Sequence, residues 1–216
     1  MTTPVQSILI RVQTTLVDVA GKRWPATELA QYLNDAQRAL ITVRPDQNTV
    51  MEPMVPVAGA RQQLPANAVC LINISGNTAG RNISKVDMAL MDASNRDWSI
   101  SNQSTVFSHF MYDLKDPRTF WLYPPSKATG ASIDLVYSAM PTDVPTPSGA
   151  AYTTATGNIS VPDQWANALT NYVLGRAYAR DAEYAGNAQV AAAYMGAFTS
   201  EVAVQLQSST AVSPKA

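Results

Sequence analysis

The chain has 216 residues, of which 46% are hydrophobic and only 14% are charged, whereas an average soluble protein has about 25% charged residues. The formal net charge is −1, which argues against a strongly basic surface that grips nucleic acid. The single cysteine rules out an intrachain disulfide, and no apolar run approaches the ~18 residues of a membrane-spanning helix. This composition suits a protein that is covered by other proteins.

Apolar residues at helical spacing predict two helices in residues 1–47. In the first helix they are followed by Gly21, which is typical of a helix C-terminus. The second helix begins behind Pro25, a residue that the first helical turn tolerates, and ends at Arg44-Pro45. A short turn makes the pair antiparallel. The apolar positions of the first helix are Val5, Ile8, Val12, Leu16 and Val19.

Short β-prone segments replace the helical period in residues 48–140, where prolines and glycines are frequent. Residues 49–57 and 61–64 flank an Ala-Gly-Ala turn, and this pattern predicts a hairpin. Residues 104–114 and 118–123 flank a Lys-Asp-Pro turn and predict a second hairpin. We therefore expect a small antiparallel β unit here.

The end of this region and the segment that follows it differ in pattern. Residues 132–139 alternate apolar and polar side chains, as a half-buried strand does, and residues 87–94 predict a short helix. Residues 141–160 are rich in Pro, Thr, Ala and Gly and nearly uncharged. They predict a loop or surface flap that does not belong to the core.

Two long helices are predicted in residues 161–207. Asp163 caps the first of them, and Gly186-Asn187 separates the two. Residues 208–216 lack periodicity and predict a mobile tail. The expected fold class is α+β: an antiparallel helical bundle, made of two N-terminal and two C-terminal helices, with the β unit inserted between them.

The last helix has an apolar stripe at steps of four residues. Such a stripe drifts about 40° around the helix at each step, so it predicts burial against more than one neighbour. We therefore expect contacts between subunits from Tyr194, Phe198, Val202 and Leu206, and also from Arg176 and Arg180 on the preceding helix.

No pattern in the chain predicts catalysis, a metal site or a cofactor. The only histidine, His109, lies between aromatic residues on a predicted strand, where a structural role is the simpler interpretation. Cys70 lies in an apolar run without a basic neighbour, which predicts a buried, inert thiol. One histidine and one cysteine do not make a zinc site, and the glycines near residue 78 lack the spacing of a phosphate-binding loop.

A nucleic-acid interface receives weak support from the penultimate helix. Arg176 and Arg180 lie one turn apart, with Tyr172 and Tyr184 on the same face, which is one arrangement for stacking on bases. The simpler interpretation pairs Arg180 with Glu183 and places the tyrosines in the core or in an interface.

Four segments, in the same order along the chain, resemble the head-to-tail adaptor proteins of tailed bacteriophages. The most specific is LGRAYARDAEYAGNAQVAAAYMGAF (174–198), which is preceded by ISVPDQWANALTNYV (159–173). RWPATELAQYLNDAQRALITVRPD (23–46) is similar to the second helix of the family, and FWLYPPSKATGASIDLVYSAMP (120–141) to its central strand pair.

The resemblance implies a structural virion protein at the head-to-tail junction, synthesised in the host cytoplasm. About twelve copies would form a ring that binds the portal protein, extends the DNA channel and presents a platform to the tail tube, nozzle or fibres. DNA would pass through the channel during ejection without specific binding, and no membrane would be involved. The segment that would dock into the portal comprises Gln207, Ser208, Ser209, Thr210, Ala211, Val212, Ser213, Pro214, Lys215 and Ala216.

A DNA channel with a basic lining would hold the genome by counterion release and oppose ejection. We therefore expect a neutral or acidic lumen, with Asp35, Asp181, Glu183 and Glu201 as its candidate residues. The alternatives are a tail-terminator or head-completion protein that forms hexamers and, from other classes, a small DNA-binding module or a virion-associated hydrolase.

Overall fold

The computed structural model describes residues 3–18, 20–78, 80–150, 152–181 and 185–212. These residues form five α-helices and seven β-strands, so the expected α+β fold class is confirmed. The described residues of Met1–Gln47 and Pro141–Ala216 make up a helical unit, and those of Asn48–Met140 make up a β unit. Within these ranges no helix has the length and apolar character needed to cross a membrane.

The first two helices are α1 (Val5–Leu16) and α2 (Ala26–Val43). The bounds of α2 agree with the prediction from Pro25 and Arg44-Pro45. The predicted end of α1 at Gly21 is wrong, because Val17 already adopts a left-handed conformation (φ 54°) and ends the helix. Val19, the last of the predicted apolar positions, lies outside the described residues.

The turn between α1 and α2 is held by one carboxylate. Asp18 accepts hydrogen bonds from three successive backbone N–H groups, those of residues 22 to 24, at 2.9 to 3.1 Å. These bonds, led by the one from Trp24, lower the pKa of Asp18 from its ordinary value. The carboxylate therefore satisfies backbone donors of the turn itself and holds its shape.

The C-terminal helices are α4 (Ala166–Arg180), which follows a 3-10 turn at Asp163–Trp165, and α5 (Ala185–Val212). The predicted break at Gly186-Asn187 is wrong, since both residues lie in the first turn of α5. The Asn187 amide donates to the backbone carbonyl and the carboxylate of Asp181, both at 3.1 Å. It therefore ties the beginning of α5 to the end of α4.

Helix α4 is the centre of the helical unit and contacts α1, α2 and α5. Trp165 at its N-terminal end is fully buried, and the Trp24 indole donates to the Ala177 carbonyl at 3.2 Å. Gly175 lies where α5 approaches α4 closely, since a Cβ atom there would come within 2.8 Å of Met195. Small and apolar residues on α4 thus allow three helices to pack around it.

The described residues of the segment 141–160 include the 3-10 turn Tyr152–Thr154. The prediction that this segment stays out of the core is wrong for four of its described apolar residues, Val144, Tyr152, Ala155 and Ile159. Tyr152 and Ile159 are each only 2% exposed, and the Tyr152 hydroxyl donates to the Trp24 carbonyl at 2.6 Å. Single apolar residues in a Thr- and Ala-rich stretch show no period, so their burial left no sequence pattern to recognise.

The β unit consists of two sheets. One has the strand order β1 (Thr49–Met54), β7 (Ile133–Ala139), β3 (Ala68–Asn77), and all its pairs are antiparallel. The other has the order β2, β6, β5, β4, in which only the short β4–β5 pair is parallel. Its strands are β2 (Gly59–Gln63), β4 (Ser84–Lys85), β5 (His109–Tyr112) and β6 (Thr119–Ser126).

The β5–β6 hairpin, the strand β7 and the short helix α3 (Met88–Ser94) agree with the predictions. The predicted β1–β2 hairpin is wrong, because the two strands belong to different sheets. The buried Gln62 amide bonds to Val57 and to the Gly59 carbonyl and so fixes the chain between the strands. Strand β3 was not predicted as a strand.

Alternation of side chains gives the four-stranded sheet two apolar faces. Phe110, Phe120 and Leu122 join the large core with residues of β3 and β7. Met111, Trp121 and Tyr123 point to the opposite face and pack in a smaller cluster with Met91 and Trp98, which come from α3 and the 3-10 turn Trp98–Ile100. Both faces of this sheet are thus covered within the β unit.

Candidate assembly surfaces

His109 and Cys70, the residue types most often used in catalysis or metal binding, both lie in surroundings typical of a structural role. His109 stacks on Tyr123 with the ring centroids 6.2 Å apart. Cys70 is partly buried on β3, and burial raises the pKa of its thiol, which disfavours the reactive thiolate at neutral pH. In the part of the chain that the structure describes, no three His, Cys, Asp or Glu side chains come together as a metal site.

The predicted apolar stripe of α5 faces α4 of the same chain. Tyr194 stacks on Tyr178 with the ring centroids 5.8 Å apart, and Phe198 meets Tyr172 edge-on at 5.2 Å. Phe198 and Val202 are 9% and 5% exposed, so little of their surface is left for a neighbouring subunit. The Leu206 side chain lies outside the described residues.

Arg176 and Arg180 extend from α4 toward α2. The Arg176 guanidinium lies 5.5 Å from the ring centroid of Tyr32, and Arg180 forms an ion pair with Glu28. Burial and the hydrogen bond to Glu28 raise the pKa of Tyr32 to about 12. These side chains border an open cavity of about 240 Å³. Of the partners considered from the sequence, Glu183 and Tyr184 lie outside the described residues, and Tyr172 contacts α5 instead.

Three of the four acidic residues expected in the lumen can be located, and each has a partner. Asp35 lies 3.6 Å from Arg38 on the surface of α2. Asp181 pairs with Arg23, and Glu201 accepts hydrogen bonds from two asparagines of α4, Asn167 and Asn171. They lie on different elements of the helical unit, and Glu183 lies outside the described residues.

The segment expected to dock into the portal begins inside a helix. Residues 207–212 continue α5, so the predicted helix end at Gln207 and an irregular tail from residue 208 are wrong for this part. Residues 213–216 lie outside the described residues. A 28-residue helix is about 42 Å long, which places this segment at the end of a long, continuous element.

One exposed surface of the helical unit was not predicted from the sequence. The exposed side of α5 carries a row at helical spacing, which we name the α5 outer strip: Gly186, Gln189, Ala193, Gly196, Ser200 and Val204. Its last two members, Ser200 and Val204, border an open cavity that Trp165 and Asn167 at the beginning of α4 also line. It has no charged residue, and the one charge between residues 186 and 212, Glu201, bonds to α4. That scarcity of charge was visible in the sequence, but which face it lay on was not.

Comparison with known proteins identifies a family of structural proteins. A search of curated proteins finds no match. The family model described as SU10 adaptor protein matches residues 3–215, nearly the whole chain. This is a family of phage adaptor proteins, structural components of the virion that interact with other head or tail proteins. The chain therefore belongs to the SU10 adaptor protein family.

Proposed function

We propose that this protein is a head-to-tail adaptor of which about twelve copies form a ring between the portal and the tail and extend the DNA channel. The observation that carries the proposal is the family match over residues 3–215. Because it includes both the helical unit and the β unit, the proposal concerns the whole chain.

The surface of the helical unit supports assembly into a ring. Helix α5 offers a long exposed face without charge, whereas a helix face that stays in water normally carries charged residues. An identical contact repeated head to tail closes into a ring when the rotation per subunit allows it. The chain therefore has a surface suited to repeated contacts between subunits.

The portal contact is assigned to residues 207–216. The first six of these continue α5, so a portal cleft would receive the end of a helix whose other end is anchored on α4. The ordering cost of binding is lower for such a segment than for an irregular tail, because the backbone is already helical.

The lumen of the ring is proposed to be neutral or acidic, with Asp35, Asp181, Glu183 and Glu201 as candidates. Asp35 fits this role best among the three that can be located, since 44% of its side chain is exposed. A ring structure with a lumen dominated by arginine and lysine would contradict this part of the proposal.

The β unit is proposed to meet the tail tube, nozzle or fibres. Its exposed apolar side chains include Leu90, Ile100 and Leu114. Large apolar residues in such positions support a protein contact when they lie close together on an assembled surface.

The test is native mass spectrometry of the full chain, alone and mixed with its portal protein. We expect about twelve copies to join each portal. A chain truncated after Leu206 should keep its thermal transition and fail to join the portal. A stable hexamer that ignores the portal would identify a tail-terminator instead, and a wild-type chain that joins nothing would refute the proposed function.

A further inference from the structure

We propose that the α5 outer strip packs against α1 of a second copy of this chain, and that this contact joins neighbouring subunits. The proposal deepens the proposed function, because it names the two surfaces that would form the ring. Helix α5 packs on one side only: among the described residues, α4 is the only element with which α5 makes an extensive contact.

The composition of the strip differs from that of a solvated helix face. Designed and natural soluble surfaces carry roughly 25–35% charged residues, and the exposed side of α2 has Asp35 and Arg38 at this spacing. The α5 outer strip has none, and Val204 in it is 60% exposed. The Thr199 hydroxyl beside the strip donates to the Met195 carbonyl at 3.0 Å, so it needs no partner from water. Burying this strip therefore costs little desolvation.

Gly196 in the α5 outer strip also indicates a partner from outside the chain. A glycine within a helix destabilises it relative to alanine, and usually something approaches its backbone closely. For Gly175 that neighbour is Met195, 2.8 Å from a Cβ atom built there, whereas a Cβ atom on Gly196 would meet nothing within 4 Å. Nothing described in the chain requires glycine at position 196. A helix of another molecule that crosses the strip at this point would require it.

The same chain offers a ridge that fits this shallow strip. Ile10, Thr14 and Val17 lie on the side of α1 opposite its buried face, and we name them the α1 ridge. Ile10 is 41% and Val17 84% exposed, and the Thr14 hydroxyl donates to the Ile10 carbonyl at 2.9 Å. The ridge is therefore apolar at its surface, with large side chains where the α5 outer strip has small ones.

Val17 adds an independent reason for a partner. A β-branched residue in the left-handed region (φ 54°) is strained, and such strain is retained where it serves a contact. At position 17 the left-handed conformation places the valine isopropyl group in solvent at the end of α1. Complementary side-chain sizes on one chain favour a second copy over an unrelated partner, with the exposed Arg11 beside the ridge at the edge of the contact.

The size of the contact fits a ring better than an isolated dimer. With 12 residues, α1 limits the contact to a length of about 18 Å and a width of about 10 Å, well short of the ~800 Å² per partner of a stable interface. A single pair of subunits should therefore dissociate. In a closed ring each copy is held on both sides, through its α1 ridge and its α5 outer strip, so assembly should be cooperative.

Gly196→Arg tests the strip, because it places a charge there without a clash within the chain. Gln31→Arg, on the exposed side of α2, is the matched control. By native mass spectrometry with portal present, G196R should lose the twelve-copy complex at least tenfold while its melting temperature stays within about 2 °C of wild type; Q31R should assemble normally. A ring formed by G196R as readily as by wild type would overturn the proposal and leave the adaptor function intact.

Gly196→Ala separates assembly from stability. Better helix propensity should raise the melting temperature of the dissociated protein by about 2–3 °C, while the added methyl group in the contact weakens ring formation several-fold. If the contact does not exist, the variant should be stabilised with assembly unchanged, and this result would overturn the proposal.

Cross-linking tests the choice of partner. In a Cys70→Ser background, Thr14→Cys with Ser200→Cys, a nearly isosteric change in the strip, should give a ladder of covalent multimers with a short bis-maleimide, and Gln31→Cys with Ser200→Cys should not. No ladder in assembled rings, or a G196R ring that forms but cannot join the portal, would show that the strip meets another partner. A wild-type chain that never assembles would instead refute the proposed function.

Discussion

Gly175 of α4 and Met195 of α5 are in direct van der Waals contact: a Cβ atom on the glycine would lie 2.8 Å from both Cγ and Sδ of the methionine. The absence of a side chain at position 175 thus sets how closely α5 packs on α4. Gly196 is the residue after Met195 in α5. A Cβ atom on Gly196 would have no neighbour within 4 Å.

This difference predicts opposite effects for two identical substitutions. Gly175→Ala and Gly196→Ala gain the same helix propensity, so the difference between them reports the crowding of position 175 against Met195 and the Ala191 carbonyl oxygen of α5. We expect G175A to be less stable than G196A by about 1–3 kcal/mol. Urea unfolding of the two dissociated variants measures this difference, and equal midpoints with equal slopes would contradict the contact.

Tyr152→Phe should destabilise the protein by about 1 kcal/mol, because it removes the hydroxyl that bonds the Trp24 carbonyl at 2.6 Å. Burial also raises the pKa of Tyr152 to about 12. A raised pKa gives stability that is complete below the ordinary tyrosine value of 10 and is lost as pH rises toward 12. Y152F should therefore lose less stability than wild type over this range, as followed by urea unfolding at each pH.

The control for this experiment is Tyr123→Phe in the β unit. Within the described residues its hydroxyl donates no hydrogen bond, and we expect a change below about 0.5 kcal/mol. If both variants behaved alike, the Tyr152 hydroxyl would contribute nothing specific to the fold.

Asp46→Asn should weaken the helical unit by about 2 kcal/mol. Arg44 is almost completely buried and is held by the two Asp46 oxygens at 2.9 and 2.8 Å, so the variant leaves a buried guanidinium without its counter-charge. The loss is moderate because the side chain of Asp46 is 54% exposed and water reaches it. Urea midpoints at pH 7 give the magnitude.

The pH dependence of the same pair has a defined sign. The hydrogen bond from Arg44 lowers the pKa of Asp46 below its ordinary value of 3.8. A lowered pKa gives stability that is present above 3.8 and is lost as pH falls below it. The advantage of wild type over D46N should therefore shrink in acid. Asp35→Asn, at an exposed pair, should cost less than about 0.5 kcal/mol at pH 7.

Val17→Asn should stabilise the dissociated protein by about 0.5–1 kcal/mol, since asparagine tolerates the left-handed conformation that strains valine. For a chain of this size the melting temperature should rise by about 1–4 °C. The control, Val43→Asn at the end of α2, replaces an equally apolar, exposed residue in ordinary helical conformation and should give no such gain. An unchanged melting temperature for V17N would contradict the strain at position 17.

Local chemistry in the sequence was sufficient for the elements with strong boundaries. Pro25 and Arg44-Pro45 bounded α2 because proline removes a donor and restricts its predecessor. The predicted beginning of the short helix at residue 87 agrees with α3, where the Asp87 side chain accepts the Ala89 N–H at 2.8 Å. The Lys-Asp-Pro turn predicted the β5–β6 hairpin because its two strands are adjacent in sequence. Membership of a phage adaptor family was also recognisable from motifs alone.

Only the tertiary structure decided which elements meet. The alternation in β7 told which side chains share a face, but not that Tyr137 would pair with Val50 of β1. Spacing placed Phe198 and Val202 on one side of α5, but not whether α4 or a neighbouring subunit would cover them. The reason is physical: periodicity and capping arise from residues a few positions apart, whereas pairing and burial are chosen by the free energy of long-range packing.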